Sequence, residues 1–323
     1  MNVFITRQIP EVGVKLLRDA GFTVTEHREK REITDEELIR FCKKSDALLN
    51  AGSAIDSNFL QNCSHLKVIA LMSVGYEKVD MATATKLKIP ISNTPGVLSK
   101  ATSDVAFLLM LAVSRKAFFM HQSILNGNWN FYEPTANLGI ELYGKTLGIF
   151  GLGKIGFELA IKCKAAFGMQ IIYHNRNHNE DAEKELGAQY VSFEELLKKS
   201  DVLSLHSNLS GETKGLFNKE VFRLMKPTSI FINTGRGALH NETDLLSALQ
   251  KGDIWGAGLD VTNPEPMSKD NPLLTMPNVC ILPHIGSATQ EAREAMAKMA
   301  AVNIIAGLQN KRLPNIVNKE VYE

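Results

Sequence analysis

An α/β protein built on two parallel sheets is predicted from three features of the chain. Short apolar runs alternate with helical patterns along almost its whole length, as in parallel strands joined by crossover helices. A glycine-rich turn, Gly151-Leu152-Gly153-Lys154-Ile155-Gly156, lies between one such run and one such helix. The length, 323 residues, suits two domains at one per ~100–200 residues.

Residues 3–6 read as a first strand. Residues 11–20 read as a helix, with Gly21 where a left-handed cap belongs. Thr34 and Glu37 have the spacing of a capping box that opens a second helix, to Lys44. Strands follow at 47–50, 67–73 and 90–93 and complete a first α/β unit. From Ser99 one long, mostly apolar helix is expected to run to about Leu125, followed by a loop with Gly127, Trp129, Tyr132 and Pro134. A second series of strands begins at 146–150 and continues at 170–173, 202–206, 229–233, 257–261 and 279–282. The last long helix is expected from Ser287, where Ser287 and Gln290 make another capping box, to near Asn310.

Composition narrows the function. Hydrophobic residues make up 44% and charged residues 22%, as in ordinary globular proteins. Lysine plus arginine number 36 against 35 acids, a net charge of +1. So weak a field does not hold a polyanion, so neither nucleic acid nor an acidic membrane is an expected partner. The longest purely apolar run, 105–113, falls far short of the ~20 residues that span a bilayer. The first residues read as a strand without a signal-peptide pattern, so a cytoplasmic protein is expected. Cys42, Cys63, Cys163 and Cys280 lie far apart without metal-like spacing, and each is expected to be a small buried hydrophobe. No metal is expected.

The glycine-rich turn has the context of a dinucleotide site. An apolar strand ends at Phe150, a stripe of Ile155, Leu159, Cys163 and Phe167 follows at helical spacing, and a strand returns at 170–173. Such glycines permit the tight turn and let backbone amides approach a pyrophosphate at a helix N-terminus. The acid expected at the end of the second strand, for the adenosine ribose, is missing; His174-Asn175-Arg176 stands there. An acid would repel a 2′-phosphate, while Asn175 and Arg176 can bond it, so NADP(H) is the preferred cofactor and NAD(H) a possible one. The competing reading of Arg176 is a solvated surface charge.

Three downstream segments combine polar residues with strand ends, where an open parallel sheet places its ligand crevice. They are Asn233-Thr234-Gly235-Arg236-Gly237, then Gly258-Leu259-Asp260-Val261 leading to Pro264-Glu265-Pro266, and Pro283-His284-Ile285-Gly286-Ser287. Hydride reduction of a 2-oxo acid needs a cation for the carboxylate, a proton donor, and a carboxylate that keeps the donor charged. Arg236, His284 and Glu265 are one of each. His174 and His206, at strand ends on the cofactor side, are read as wall residues.

With these segments the chain resembles the D-isomer-specific 2-hydroxyacid dehydrogenases over essentially its full length. The match extends to Ser73-Val74-Gly75-Tyr76 and Asn93-Thr94-Pro95-Gly96-Val97. Within the family it is most similar to the glyoxylate/hydroxypyruvate reductases, through residues 257–266 and 282–289. The resemblance implies two Rossmann/flavodoxin-like parallel-sheet domains with an active-site cleft between them. Residues 1–98 and 287–323 would form a discontinuous substrate-binding domain, and 99–286 a dinucleotide-binding domain that includes a dimerisation helix, 99–125. It implies reduction of glyoxylate or hydroxypyruvate to glycolate or D-glycerate by a homodimer. Arg236 would bind the substrate carboxylate and oxo group, His284 would be the acid/base, and Glu265 would raise its pKa. Amides of Val74 and Gly75 would grip the carboxylate, with Ser287 also on the substrate's side. Asp260 would face the nicotinamide carboxamide. Gly151, Gly153, Lys154, Ile155, Gly156, Thr102, Asn177, Asn208, Thr213, Thr234, Gly235 and Gly286 would join Asn175 and Arg176 around the cofactor. Asn208 departs from a proline common in the family, and Asp104 from a glutamate. A phosphoglycerate-, lactate- or phenylpyruvate-type dehydrogenase remains an alternative, as does a dinucleotide-sensing corepressor-like protein.

Overall fold

The computed structural model describes residues 1–323. The chain opens with β1 (Asn2–Ile5), α1 (Glu11–Asp19), β2 (Thr23–Glu26), α2 (Asp35–Cys42) and β3 (Ala47–Asn50). It continues with α3 (Ser57–Asn62), β4 (Val68–Leu71), α4 (Met81–Lys86) and β5 (Ile91–Ser92). Then come α5 (Ser99–Ser114), α6 (Ala117–Leu125), β6 (Thr146–Phe150), α7 (Lys154–Phe167), β7 (Gln170–His174), α8 (Glu180–Leu186) and β8 (Gln189–Tyr190). The remainder is α9 (Phe193–Lys199), β9 (Val202–Leu205), α10 (Lys219–Leu224), β10 (Ile230–Asn233), α11 (Glu242–Lys251), β11 (Gly256–Leu259), β12 (Val279–Ile281) and α12 (Gln290–Leu308). These elements make two units, Met1–Leu98 with Ala288–Glu323, and Ser99–Ser287.

The first unit holds a parallel sheet in the order β2-β1-β3-β4-β5. Its central strands are apolar on both faces because helices cover both, the usual condition of a parallel sheet. Val3, Phe4 and Ile5 pair with Ala47, Leu48 and Leu49, and all six are buried. The C-terminal part of the chain completes this unit. Gly13 of α1 lies against Ala297 of α12, and Gly307 of α12 against Val68 of β4, so close that a Cβ at 307 would lie 2.6 Å from the Val68 Cβ. Beyond α12, Val317 N donates to Ile91 O (2.7 Å) and Ile91 N donates to Asn318 Oδ1 (2.8 Å), which pins the short edge strand β5.

The second unit holds a seven-stranded parallel sheet in the order β12-β11-β10-β9-β6-β7-β8. The order reverses between β6 and β9, the kind of point at which an open parallel sheet places its ligand crevice. Apolar clusters fill both faces, one under α5 and α7 and one under α9, α10 and α11. No helix is long and apolar enough to cross a membrane.

Several local expectations hold. Gly21 is left-handed (φ +83°) and the Thr34–Glu37 capping box forms in both directions. All four cysteines are free and buried, although Cys42 and Cys63 meet in the first unit's core. Others need correction. Strand β2 lacks an apolar run because it is an edge strand with alternately exposed residues, and β8 is only two residues long. The helix expected over 99–125 is broken into α5 and α6 at Arg115–Lys116, where Lys116 is left-handed (φ +55°). The cause is tertiary. Ile140 N donates to Ser114 O (2.8 Å), taking the carbonyl that a continuous helix would bond to its own amide four residues on. The last helix starts at Gln290, capped by Thr289, whose hydroxyl accepts from Ala292 N, so Ser287 and Gln290 form no cap.

Gly307→Val places a branched side chain against Val68 in a packed core. Overpacking of this kind costs roughly 1–3 kcal/mol. A lower denaturant midpoint is therefore expected, and an unchanged one would show that α12 does not seat on β4 as described.

Candidate active site

The glycine-rich turn joins β6 to α7, and its three glycines meet three different demands. Gly151 has φ +92°, and a Cβ there would lie 2.6 Å from Ser207 N in the chain leaving β9, so no other residue fits. Gly156 packs α7 on β6, with a Cβ position 3.0 Å from Ile149 Cγ2. Above Gly153, the N-cap of α7, nothing lies within 4 Å of where a Cβ would be. That open cradle lies beside the first N–H groups of a 14-residue helix, which suits a pyrophosphate. Lys154, exposed, and Ile155, half-buried, head the helix. The residues present therefore fit a dinucleotide.

Beyond β7, Asn175 bonds the glycine-rich turn. Its Oδ1 accepts from Leu152 N (2.6 Å) and its Nδ2 donates to Leu152 O (3.2 Å). One acceptor and one donor of the amide are bonded to the backbone of the glycine-rich turn, and the second Nδ2 hydrogen is left for another partner. Asn179 Nδ2 donates to the same carbonyl (2.9 Å). Arg176 and Asn177 remain exposed on the loop.

At the end of β9, His206 Nε2 meets Ser204 Oγ (2.9 Å) and its Nδ1 meets Thr234 Oγ1 (3.2 Å). Desolvation holds the His206 imidazole down to about 3, so it is neutral at pH 7. Its two hydroxyl partners fit a wall residue. Thr213 closes a turn, its Oγ1 accepting from Ser210 N (2.8 Å) and donating to Asn208 O (2.9 Å). The Asn208 side chain is exposed.

Arg236, Glu265 and His284 follow three neighbouring strands, β10, β11 and β12. Register places Asn233 beside Leu259, and Leu259 beside Ile281, so the three loops leave the sheet from one row. Asn233 is fully buried and shapes the first loop: its Oδ1 accepts from Gly235 N (3.0 Å) and its Nδ2 donates to Arg236 O (2.8 Å). Arg236 Nη1 donates to Gly235 O (2.7 Å). Gly237 touches the next loop so closely that a Cβ would fall 2.0 Å from Thr262 O. These clamps were not read from the sequence; the available signal was an asparagine ending an otherwise apolar strand.

His284 Nδ1 and Glu265 Oε1 are 2.6 Å apart. A carboxylate only accepts, so Nδ1 donates and Nε2 is left for another partner. The side chains are 48% and 42% exposed. The His284 backbone is left-handed (φ +54°), a strained conformation for a residue with a Cβ. Asp260 imposes it. Its carbonyl accepts from His284 N (2.9 Å), its Oδ1 from Ile285 N (2.8 Å) and its Oδ2 from Gly286 N (2.8 Å). Desolvation raises the Asp260 pKa, and the two N–H groups oppose that by favouring the carboxylate. Thr102 packs on Gly286, its Cγ2 3.2 Å from where a Cβ would lie. Ser287, half-buried, ends the loop.

In the first unit the chain after β4 carries Val74 and Gly75. Ser73 O accepts from Thr94 N (2.9 Å) and Val74 O accepts from Asn93 Nδ2 (2.7 Å). In a trans peptide the N–H points opposite to the preceding C=O. The N–H groups of Val74 and Gly75 therefore both point away from Asn93–Thr94, a paired donor arrangement suited to an anion.

Comparison with known proteins bears on the family and the fold. Residues 107–286 match the family model described as D-isomer specific 2-hydroxyacid dehydrogenase, NAD binding domain. A glyoxylate reductase of Thermococcus litoralis is 44% identical over 99% of this chain and 97% of its own. A glyoxylate reductase structure from Paecilomyes thermophila superposes with a TM-score of 0.88 at 32% identity, covering 99% of each chain. An NADPH-dependent glyoxylate/hydroxypyruvate reductase from Sinorhizobium meliloti, solved with NADP and malonate, has a TM-score of 0.86 at 28% identity, covering 99% of this chain and 97% of that one. The chain thus belongs to the D-isomer specific 2-hydroxyacid dehydrogenase family, and its second unit carries the family's binding domain for a nicotinamide dinucleotide.

Proposed function

We propose that the protein reduces a small 2-oxo acid, glyoxylate or hydroxypyruvate, to glycolate or D-glycerate. The observation that carries this reading is the 2.6 Å bond between His284 and Glu265 on a loop beside that of Arg236. The names of relatives supply the substrate class, since two that are 44% identical over 99% of this chain are glyoxylate reductases. The bound dinucleotide supplies the hydride. Arg236 holds the substrate carboxylate and oxo group with its planar fork of donors. The paired N–H groups of Val74 and Gly75 suit a carboxylate. His284 gives its Nε2 proton to the oxygen that becomes the hydroxyl, while Glu265, bonded to Nδ1, orients the ring and balances the imidazolium charge. Asp260 positions His284 through the backbone.

Two variants test these roles by the loss of NADPH absorbance with glyoxylate and with hydroxypyruvate. Arg236→Lys keeps a charge but loses the fork, so a higher KM and a lower kcat are expected. Glu265→Gln removes the balancing charge, so reduction should fail at lower pH than in the parent enzyme. Parental kcat/KM in the first variant, or an unmoved alkaline limb in the second, would overturn the corresponding role.

NADP(H) is the preferred cofactor in this reading. No acid follows β7 to repel a 2′-phosphate, and exposed Arg176 supplies a cation beside it. The ratio of kcat/KM for NADPH to that for NADH should exceed unity and fall in Arg176→Ala. A parent enzyme that prefers NADH would refute the assignment.

The same reading makes the protein a homodimer. Helix α6 has no buried residue, and Ile124, Leu125, Trp129, Phe131 and Tyr132 on α6 and the loop after it are 51–85% exposed. So large an apolar surface is characteristic of an association site. Light scattering at micromolar concentration should give twice the 35.7 kDa of one chain; a monomer mass would refute the dimer.

A further inference from the structure

Asn175 gives one Nδ2 hydrogen to Leu152 O, so it offers a 2′-phosphate at most one neutral donor, and other residues of the loop after β7 can add charged ones. His178 is one whose position is set by its surroundings. Its ring stacks on Tyr190 of β8, with centroids 4.2 Å apart and planes at 25°. Its Nδ1 lies 2.8 Å from Glu183 Oε1 on α8. The same carboxylate oxygen accepts from Tyr173 OH of β7 (2.5 Å), which in turn accepts from Asn179 N (2.8 Å). Tyr190 OH donates to Asn175 O (3.0 Å), so the stacking partner is itself anchored to the loop. The His178 side chain is nonetheless 61% exposed.

We infer that His178 reads the 2′-phosphate of NADP(H) only when protonated, which makes the choice between NADPH and NADH depend on pH. The inference rests on the NADP(H) preference proposed above. Because Glu183 only accepts, Nδ1 keeps a proton in either charge state of the ring. In the neutral ring Nε2 is then a lone pair, which cannot bond a phosphate oxygen; in the imidazolium it is a donor. Charge acts in the same direction. The Tyr173 hydroxyl and then His178 hold Glu183 below the usual carboxylate range, so it stays anionic and opposes a phosphate unless an imidazolium balances it. Besides Glu183, the titratable or charged residues on the elements that hold the ring are Tyr173 and His174 of β7, Tyr190 of β8, Glu180, Asp181, Lys184 and Glu185 of α8, and Arg176 on the same loop. Arg176 keeps its charge throughout, so it sets a constant part of the preference and His178 the variable part.

Dissociation constants for NADPH and NADH, measured by nucleotide fluorescence without substrate, test this. A histidine changes charge between about pH 5 and 8, whereas a phosphate monoester loses its last proton near pH 6. From about pH 6.5 to 8.5 the NADPH constant should therefore rise about tenfold, as a charge-assisted hydrogen bond is lost, while the NADH constant stays flat. In His178→Ala NADPH should bind weakly across the range without the rise, and in His178→Arg it should bind tightly and without it. If NADPH is preferred with no pH-dependent rise, or the rise persists in His178→Ala, the His178 assignment falls and the cofactor preference stands. If NADH binds more tightly at every pH, both fall.

Discussion

Asp260 is 1% exposed, and three hydrogen bonds converge on it from three successive peptide groups, those of His284, Ile285 and Gly286. A left-handed residue with a Cβ costs about 1–2 kcal/mol, and His284 has no glycine-like freedom to avoid that cost. It keeps the conformation because the carbonyl of Asp260 holds the amide on one side and the carboxylate holds the next two. The ring of His284 is then delivered to Glu265. Gly286 belongs to the same constraint, since a Cβ there would lie 2.9 Å from Asp260 Oδ2. Burial works against the carboxylate that accepts these bonds and raises its pKa, and the paired N–H groups oppose that shift.

Asparagine is the recurring device that shapes the loops of both units. Asn50 at the end of β3 accepts from Ser53 N and donates to Ser53 O. Asn175 does the same with Leu152, Asn233 bridges Gly235 N and Arg236 O, and Asn318 bridges Ile91 N and Ile89 O. An amide offers one acceptor and one donor side by side, which matches a backbone N–H and C=O together. An aspartate would lose the donor and a leucine both. In the second unit these clamps lie under the glycine-rich turn and the Arg236 loop, so the backbone that meets the ligand is held from behind.

The break between α5 and α6 shows the opposite influence, of a distant segment on a local one. Residues 99–125 contain no glycine or proline, so nothing near Arg115 is a breaker. The Gly139–Ile140 segment approaches so closely that a Cβ at 139 would lie 2.2 Å from Ser114 O, and Ile140 N takes that carbonyl. Helix α6 consequently leaves in a new direction with all its residues at least partly exposed.

What the sequence determined by itself was whatever is encoded over short range: the apolar runs of the central strands, the Gly21 cap, the Thr34–Glu37 box and the three glycines of the dinucleotide turn. That the loops of Arg236, Glu265 and His284 lie side by side was legible because each follows a recognisable strand, and the parallel sheet then gathers strand ends. Edge strand β2 and two-residue β8 were not, because an edge carries little apolar signal and a pair of residues carries no period. The tertiary structure alone decided the helix break, the Thr289 cap in place of Ser287, and the commitment of Asn175 to Leu152. Each depends on a backbone group brought near by the fold or on competition between neighbouring caps. Whether a polar side chain on a loop meets a ligand or its own backbone depends on which unpaired N–H or C=O the fold brings within about 3 Å of it, and the order of residues does not record that distance.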